Sequence, residues 1–360
     1  MSGAEGNGRS VQAARVPRSE SLRVLVTGAA GFIGSHLCER LLANGADVWG
    51  LDNFDSFYST AIKRRNVQEL AKHPNMRLIE GDIRDAVLLD GLFSDVSFDV
   101  VVHLAARPGV RPSIEEPEEC FDINVQGTLT LLEAMRRHHI AALAFGSSSS
   151  VYGDSDTIPL EESAVADRPI SPYAASKRAG EHICHTFHHL YGMSVHCLRF
   201  FTVFGPRQRP DLAIHKFARL MAAGRPLPLY GDGSTARDYT YVSDTVEGVV
   251  RSIDLLIEAS KSGRPAFEVI NLGRSDAVTL KELVDALSGA LGIEPTIEWM
   301  PMQPGDVTIT CASDVRARSI LGFEPRVDLE TGLARFVEWF RAGSASESSE
   351  AILEQPGSGR

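Results

Sequence analysis

A short apolar run at residues 22–26 leads straight into Gly28-Ala29-Ala30-Gly31-Phe32-Ile33-Gly34, and an amphipathic stretch follows to position 44. Read as strand, glycine turn and helix, this segment constrains the fold more than any other. Glycines at positions 28, 31 and 34 permit a tight turn, close approach of a pyrophosphate and close packing of helix on strand. The helix start then presents free amides and the positive end of its dipole to the phosphates. Further apolar runs at 47–52, 76–80, 98–104, 140–145 and 195–201 alternate with helical patterns, notably 122–139 and 172–191. Such alternation predicts an α/β fold, a Rossmann-type doubly wound parallel sheet.

Asp52 stands 18 residues after Gly34 at the end of the second run. A carboxylate there accepts hydrogen bonds from the ribose hydroxyls of an adenosine and repels a 2′-phosphate, which favours NAD over NADP. Asn53 fits a turn-forming Asp-Asn pair equally well. Asp82, after the third run, is placed either to meet the adenine edge or to make a simple turn.

Tyr173 and Lys177 lie four residues apart in Ser171-Pro172-Tyr173-Ala174-Ala175-Ser176-Lys177. On a helix that spacing puts both on one face. A free phenol ionises near pH ~10, and a neighbouring ammonium brings it toward the range useful for a general base. A run of four serines, Ser147 to Ser150, lies upstream, with Ser148 25 residues before the tyrosine.

The net charge of −11 argues against a general nucleic-acid binder, and no apolar stretch reaches the ~20 residues that span a bilayer. Five scattered cysteines predict reduced thiols in a cytoplasmic protein. The histidine groups at 138–139 and 185–189 lack companion acids or cysteines, so no metal site is expected. Residues 1–20 and 343–360 read as disordered tails, 21–200 as the cofactor-binding domain, and 201–342 as a smaller, mainly substrate-binding lobe with some return to the first sheet.

Taken with His103-Leu104-Ala105-Ala106, Asn124, Arg199-Phe200-Phe201-Thr202-Val203-Phe204-Gly205-Pro206 and Arg237-Asp238-Tyr239, these residues resemble the extended short-chain dehydrogenase/reductase family, over nearly the whole chain from 22 to 340. Within it the chain looks like a nucleotide-sugar epimerase. The loop Gly205-Pro206-Arg207-Gln208-Arg209-Pro210-Asp211, with Met302 to Asp306, is most similar to UDP-glucuronate 4-epimerases. The resemblance implies NAD reduced and reoxidised within each turnover and a UDP-sugar substrate. It implies Tyr173 as the base at the sugar 4-hydroxyl, with Ser148 bonding the same oxygen and Lys177 on the nicotinamide ribose. Cofactor contacts are implied for Gly28, Gly31, Phe32, Ile33, Gly34, Asp52, Asn53, Asp82, Ile83, Leu104, Ala105, Ala106, Asn124, Phe200 and Val203. Arg237 and Lys216 would meet the diphosphate and Asp306 the uridine ribose, and a homodimer would form through 122–139 and 172–191.

Related dehydratases and decarboxylases carry acids just before Val-Tyr-Gly, where this chain has only serines. Water elimination needs an additional acid and base, so dehydration is disfavoured. Decarboxylation stays open, because a 4-keto glucuronate is a β-keto acid. Ser149, Ser150, Thr202 and Arg209 form a plausible clamp that keeps the carboxylate out of alignment with the carbonyl. For Arg207 and Arg209 the alternative is a solvated basic loop. A neutral-sugar epimerase, with Arg209 on the diphosphate, is the nearest rival.

Overall fold

The computed structural model describes residues 21–155, 157–302 and 307–344. In chain order the first half runs β1 (Arg23–Thr27), α1 (Phe32–Ala43), β2 (Asp47–Asp52), α2 (Thr60–Gln68), β3 (Met76–Glu80), α3 (Ala86–Asp95), β4 (Val100–His103), α4 (Val110–Glu115), α5 (Pro117–Phe121), α6 (Gly127–Arg137) and β5 (Ala142–Ser148). Next come α7 (Pro172–Tyr191), β6 (Ser194–Phe200), β7 (Thr202–Phe204), α8 (Ala213–Ala222), β8 (Leu227–Tyr230), β9 (Ala236–Tyr241) and α9 (Val242–Lys261). The chain closes with β10 (Phe267–Leu272), β11 (Ala277–Thr279), α10 (Leu280–Leu291), β12 (Ile297–Met300), α11 (Val315–Leu321) and α12 (Leu329–Ser344).

Seven parallel strands form the main sheet in the order β10-β6-β5-β4-β1-β2-β3. Side chains alternate between its faces, as a pleated strand requires. Val24 and Val26 enter a core shared with α1, α9 and the second lobe, whereas Leu25 enters one shared with α3, α6 and α7. The order reverses between β1 and β4, and ligands bind at that reversal, beyond the carboxyl ends of the strands. Two small sheets, β11-β9-β7 and β12-β8, build the second lobe. Strand β10, far along the chain, pairs with β6 at the edge of the main sheet.

The helical pattern at 122–139 resolves into a π-helical turn, Asp122–Gln126, followed by α6. The reading of residues 343–360 as a tail is corrected at its start, since α12 reaches Ser344. Residues 1–20 and 345–360 lie outside the described residues. No described helix is long and apolar enough to cross a membrane.

Helix α7 starts cleanly because the Ser171 side chain accepts the Ala174 amide (3.1 Å) and Pro172 occupies its first turn; it stops at Gly192, whose φ is 67°. Its middle carries Glu181, 2% exposed. That carboxylate accepts Ser147 Oγ from β5 (2.6 Å), Arg178 from its own helix (2.6 Å), and Arg199 Nε and Nη2 from β6 (both 2.8 Å). Arg199 in turn lies over the Tyr152 ring at 4.6 Å. We expect Arg199→Met to lower unfolding free energy by about 3–5 kcal/mol in denaturant titrations, because a buried charge loses its partner.

Burial also holds four imidazoles neutral. His36, His196 and His215 are lowered to about 4, and His103 to about 3, chiefly by desolvation. Their native pKa values lie below the unfolded value near ~6.5, so the unfolded chain binds more protons between these limits. Stability is therefore complete above pH ~6.5 and falls as pH drops toward 4. Urea midpoints at pH 5 and 7 should differ accordingly, and His196→Gln should narrow that difference.

Candidate active site

A cleft opens at the β1–β4 reversal, where a doubly wound sheet takes its ligands. Its floor is the glycine turn. Gly28 has φ 72°, and a Cβ there would stand 2.7 Å from Ala105 N; one on Gly34 would stand 2.0 Å from Gly28 O. Only glycine lets this turn, the β4 end and helix α1 approach so closely. The start of α1 has no side-chain cap at Gly31, which leaves amides directed at the cleft.

Gly28, Gly31, Phe32, Ile33 and Gly34 line the cleft, as do Asp52, Asn53, Asp82 and Ile83 beyond β2 and β3. Leu104, Ala105, Ala106, Phe200 and Arg209 join them, together with Tyr173 and Lys177 from α7. Asp52 Oδ2 accepts the Ala30 amide (3.0 Å) and Oδ1 accepts that of Phe54 (2.8 Å). Burial pushes its carboxyl upward. Each oxygen retains a further lone pair for a ribose hydroxyl. Asp82 is instead held at about 2 by hydrogen bonds from Arg84, with Asn53 Nδ2 donating to it as well (3.0 Å).

Tyr173 and Lys177 share a helix face, but their partners differ from the sequence expectation. Lys177 Nζ donates to Gly146 O (2.8 Å) at the end of β5. Desolvation lowers it to about 8. Burial raises the Tyr173 phenol, while the Ser148 hydroxyl and the Arg209 guanidinium act to lower it. Arg209 is thus a cation acting on the phenol that its sequence position did not point to, while the lysine donates to a main-chain carbonyl. Arg209 itself holds Asp211 through Nε (2.9 Å) and Nη2 (2.6 Å), and its face lies over Phe57 at 5.5 Å. It is not a solvated loop residue. Arg207 ties its loop to α1 through Glu39 (2.6 Å).

Several expected residues sit away from the cleft lining. Asn124 clasps Arg107 from both sides, accepting its amide (2.7 Å) and donating to its carbonyl (3.1 Å), and it also donates to Ser176 Oγ (2.9 Å). Val203 is buried in the core. Ser148 is outside the lining but bonds the Tyr173 side chain as well as Ser150 Oγ (3.1 Å). Ser149, Thr202 and Lys216 are outside the lining, and Arg237 donates to Ala236 O (2.9 Å) and Thr308 O (3.3 Å). Asp306 lies outside the described residues. Among the described residues no cluster of His, Cys, Asp and Glu could hold a metal.

The sequence reading missed Asp55, Phe57, Tyr58 and Lys63, which line the cleft from the segment after β2. It also left Arg107 without a role. That side chain lines the cleft, pairs with Asp55 (3.1 Å), Glu116 and Glu119 (2.9 Å), and stacks on the opposite side chain Phe57 at 4.8 Å. Their position just past an acid-ended strand of a doubly wound sheet was the available signal.

Residues 24–273 match the family model described as NAD dependent epimerase/dehydratase family. UDP-glucuronate 4-epimerase 1 of Arabidopsis thaliana is 41% identical over 337 residues, covering 91% of this chain and 78% of that protein. The solved UDP-glucuronic acid 4-epimerase from Bacillus cereus, in complex with UDP-glucuronic acid and NAD, is 36% identical with a TM-score of 0.82, covering 89% of this chain and 99% of that one. MoeE5, solved with NAD and either UDP-glucose or UDP-glucuronic acid, is 37% identical with a TM-score of 0.77 over the same shares. The glycine cradle, the carboxylate at the end of β2 and the tyrosine–lysine face thus occur in a chain that belongs to the NAD dependent epimerase/dehydratase family.

Proposed function

We propose that this protein inverts C4 of UDP-glucuronate to give UDP-galacturonate through a transient 4-keto sugar. The observation that carries the reading is that Tyr173, Lys177 and Arg209 line one cleft with the glycine turn. The similarity to UDP-glucuronate 4-epimerases across nine-tenths of the chain supports it. NAD fits the cleft because the cradle at Gly28 and Gly34 has no room for a Cβ and α1 presents uncapped amides. When bound, it supplies a reversible hydride acceptor, so the reaction has no net redox change.

Tyr173 takes the proton of the sugar 4-hydroxyl, and Ser148 hydrogen-bonds the same oxygen. A base with a high resting pKa needs cationic help, which Arg209 provides from within the cleft. Lys177, anchored on Gly146 O, directs its remaining donors toward the nicotinamide ribose. Asp211 occupies the ε and one η nitrogen of Arg209 and leaves the other η nitrogen for the uronate carboxylate, with Ser149, Ser150 and Thr202 completing the clamp. Arg237, Lys216 and Asp306 hold the UDP portion, and residues 201–342 serve mainly as the substrate lobe. We assign the protein to the cytoplasm and to a homodimer formed through α6 and α7, on which Leu190 and Tyr191 are exposed.

MoeE5, solved with both sugars, favours a second reading in which UDP-glucose also serves. Incubating the purified protein with UDP-glucuronate and no added cofactor, and separating the products, tests the first. UDP-galacturonate is the expected product; a pentose or a 4-keto product as the main species would replace this reading, and UDP-glucose assayed alongside ranks the two sugars. Arg209→Ala should weaken uronate binding about tenfold or more and release some UDP-pentose. Unaltered kinetics without pentose would remove the clamp.

A further inference from the structure

The segment after β2 carries a buried phenol with no hydrogen-bond partner and, over its ring, a lysine ammonium that lines the same cleft. Lys63, in the first turn of α2, is 7% exposed and lines the cleft. No hydrogen bond or ion pair joins its ammonium to another described residue; its neighbour is the Tyr58 ring, 4.9 Å away. Asp52 is close enough for its charge to act on the ammonium, but its oxygens accept the Ala30 and Phe54 amides rather than a Lys63 proton. The Tyr58 hydroxyl, on a side chain 5% exposed, also lacks a hydrogen-bond partner. Both side chains line the cleft floored by the glycine turn. A phenol buried without a partner is costly, and the Lys63 ammonium over its ring adds a positive charge at the same place, so the pair points to a missing anionic acceptor. Within reach of a dinucleotide cradle, a phosphate is the acceptor that suits two donors and a positive charge.

We propose that Lys63 and Tyr58 are cofactor-binding residues that donate to the pyrophosphate oxygens of the bound dinucleotide, completing a site whose other donors are the amides at the start of α1. The proposal rests on the dinucleotide reading of the cleft. It gives α2 a binding role in addition to packing. The other role open to Lys63 is that of a counter-charge to Asp52, which would affect the adenosine ribose instead.

Ligands that differ in phosphate content separate the two roles, in the absence of any sugar substrate. The full chain, freed of nucleotide, is titrated with NAD, ADP-ribose and adenosine for the wild type, Lys63→Gln, Lys63→Arg and Tyr58→Phe. Lys63→Gln should weaken NAD and ADP-ribose about 10- to 100-fold while leaving adenosine within twofold, and Lys63→Arg should recover most of the loss. Tyr58→Phe, which removes only the hydroxyl, should show a smaller loss of the same pattern. If Lys63→Gln does not fold, Tyr58→Phe decides the matter. Equal losses for adenosine and NAD, or no loss for either, would overturn the proposal whether or not the protein epimerises UDP-glucuronate.

Discussion

The architecture of the site depends on one dry carboxylate. Glu181 collects donors from β5, from its own helix and from β6, so the strand that ends in serines and the helix that carries Tyr173 and Lys177 are fixed to each other. A charge removed from water is tolerable only when its lone pairs are filled, and here four hydrogen bonds fill them. Slippage of β5 against α7 would therefore expose an uncompensated charge. Lys177 adds a second pin between the same elements by donating to Gly146 O.

The second lobe has an anchor of the same kind. Asp238, fully buried on β9, accepts the amides of Arg274 (2.8 Å), Ser275 (2.9 Å) and Ala312 (3.0 Å). One side chain thereby gathers β9, the loop after β10 and the segment before α11. Because β10 also closes the main sheet beside β6, the two lobes are joined through that loop. The mouth of the cleft is organised by charge instead. Arg107 and Arg209 both face the Phe57 ring, and each is balanced by an acid, Asp55 and Asp211 respectively.

Much of this was legible in the order of residues. The runs at 47–52 and 76–80 coincide with β2 and β3, and the helical pattern at 172–191 with α7. Local patterns suffice there because buried parallel strands need β-branched and apolar side chains, and glycine turns need glycine. The helical pattern at 122–139 gave no sign of the π-helical turn at its start. Its π-helical turn brings Asn124 onto Arg107 and Ser176, a bond pattern that no periodicity encodes.

The order of residues by itself determined the doubly wound sheet, the cradle at Gly28 to Gly34, the carboxylate of Asp52 at the end of β2 and the shared face of Tyr173 and Lys177. These follow from local backbone geometry and short-range spacing. Only the tertiary structure decided that Lys177 donates to Gly146 O, that the Arg209 charge acts on the Tyr173 phenol, and that the Tyr58 hydroxyl reaches the cleft without a partner beside Lys63. Hydrogen-bond partners are settled by which distant atoms packing brings within about 3 Å, and in the buried cleft each such choice carries weight that water would otherwise screen.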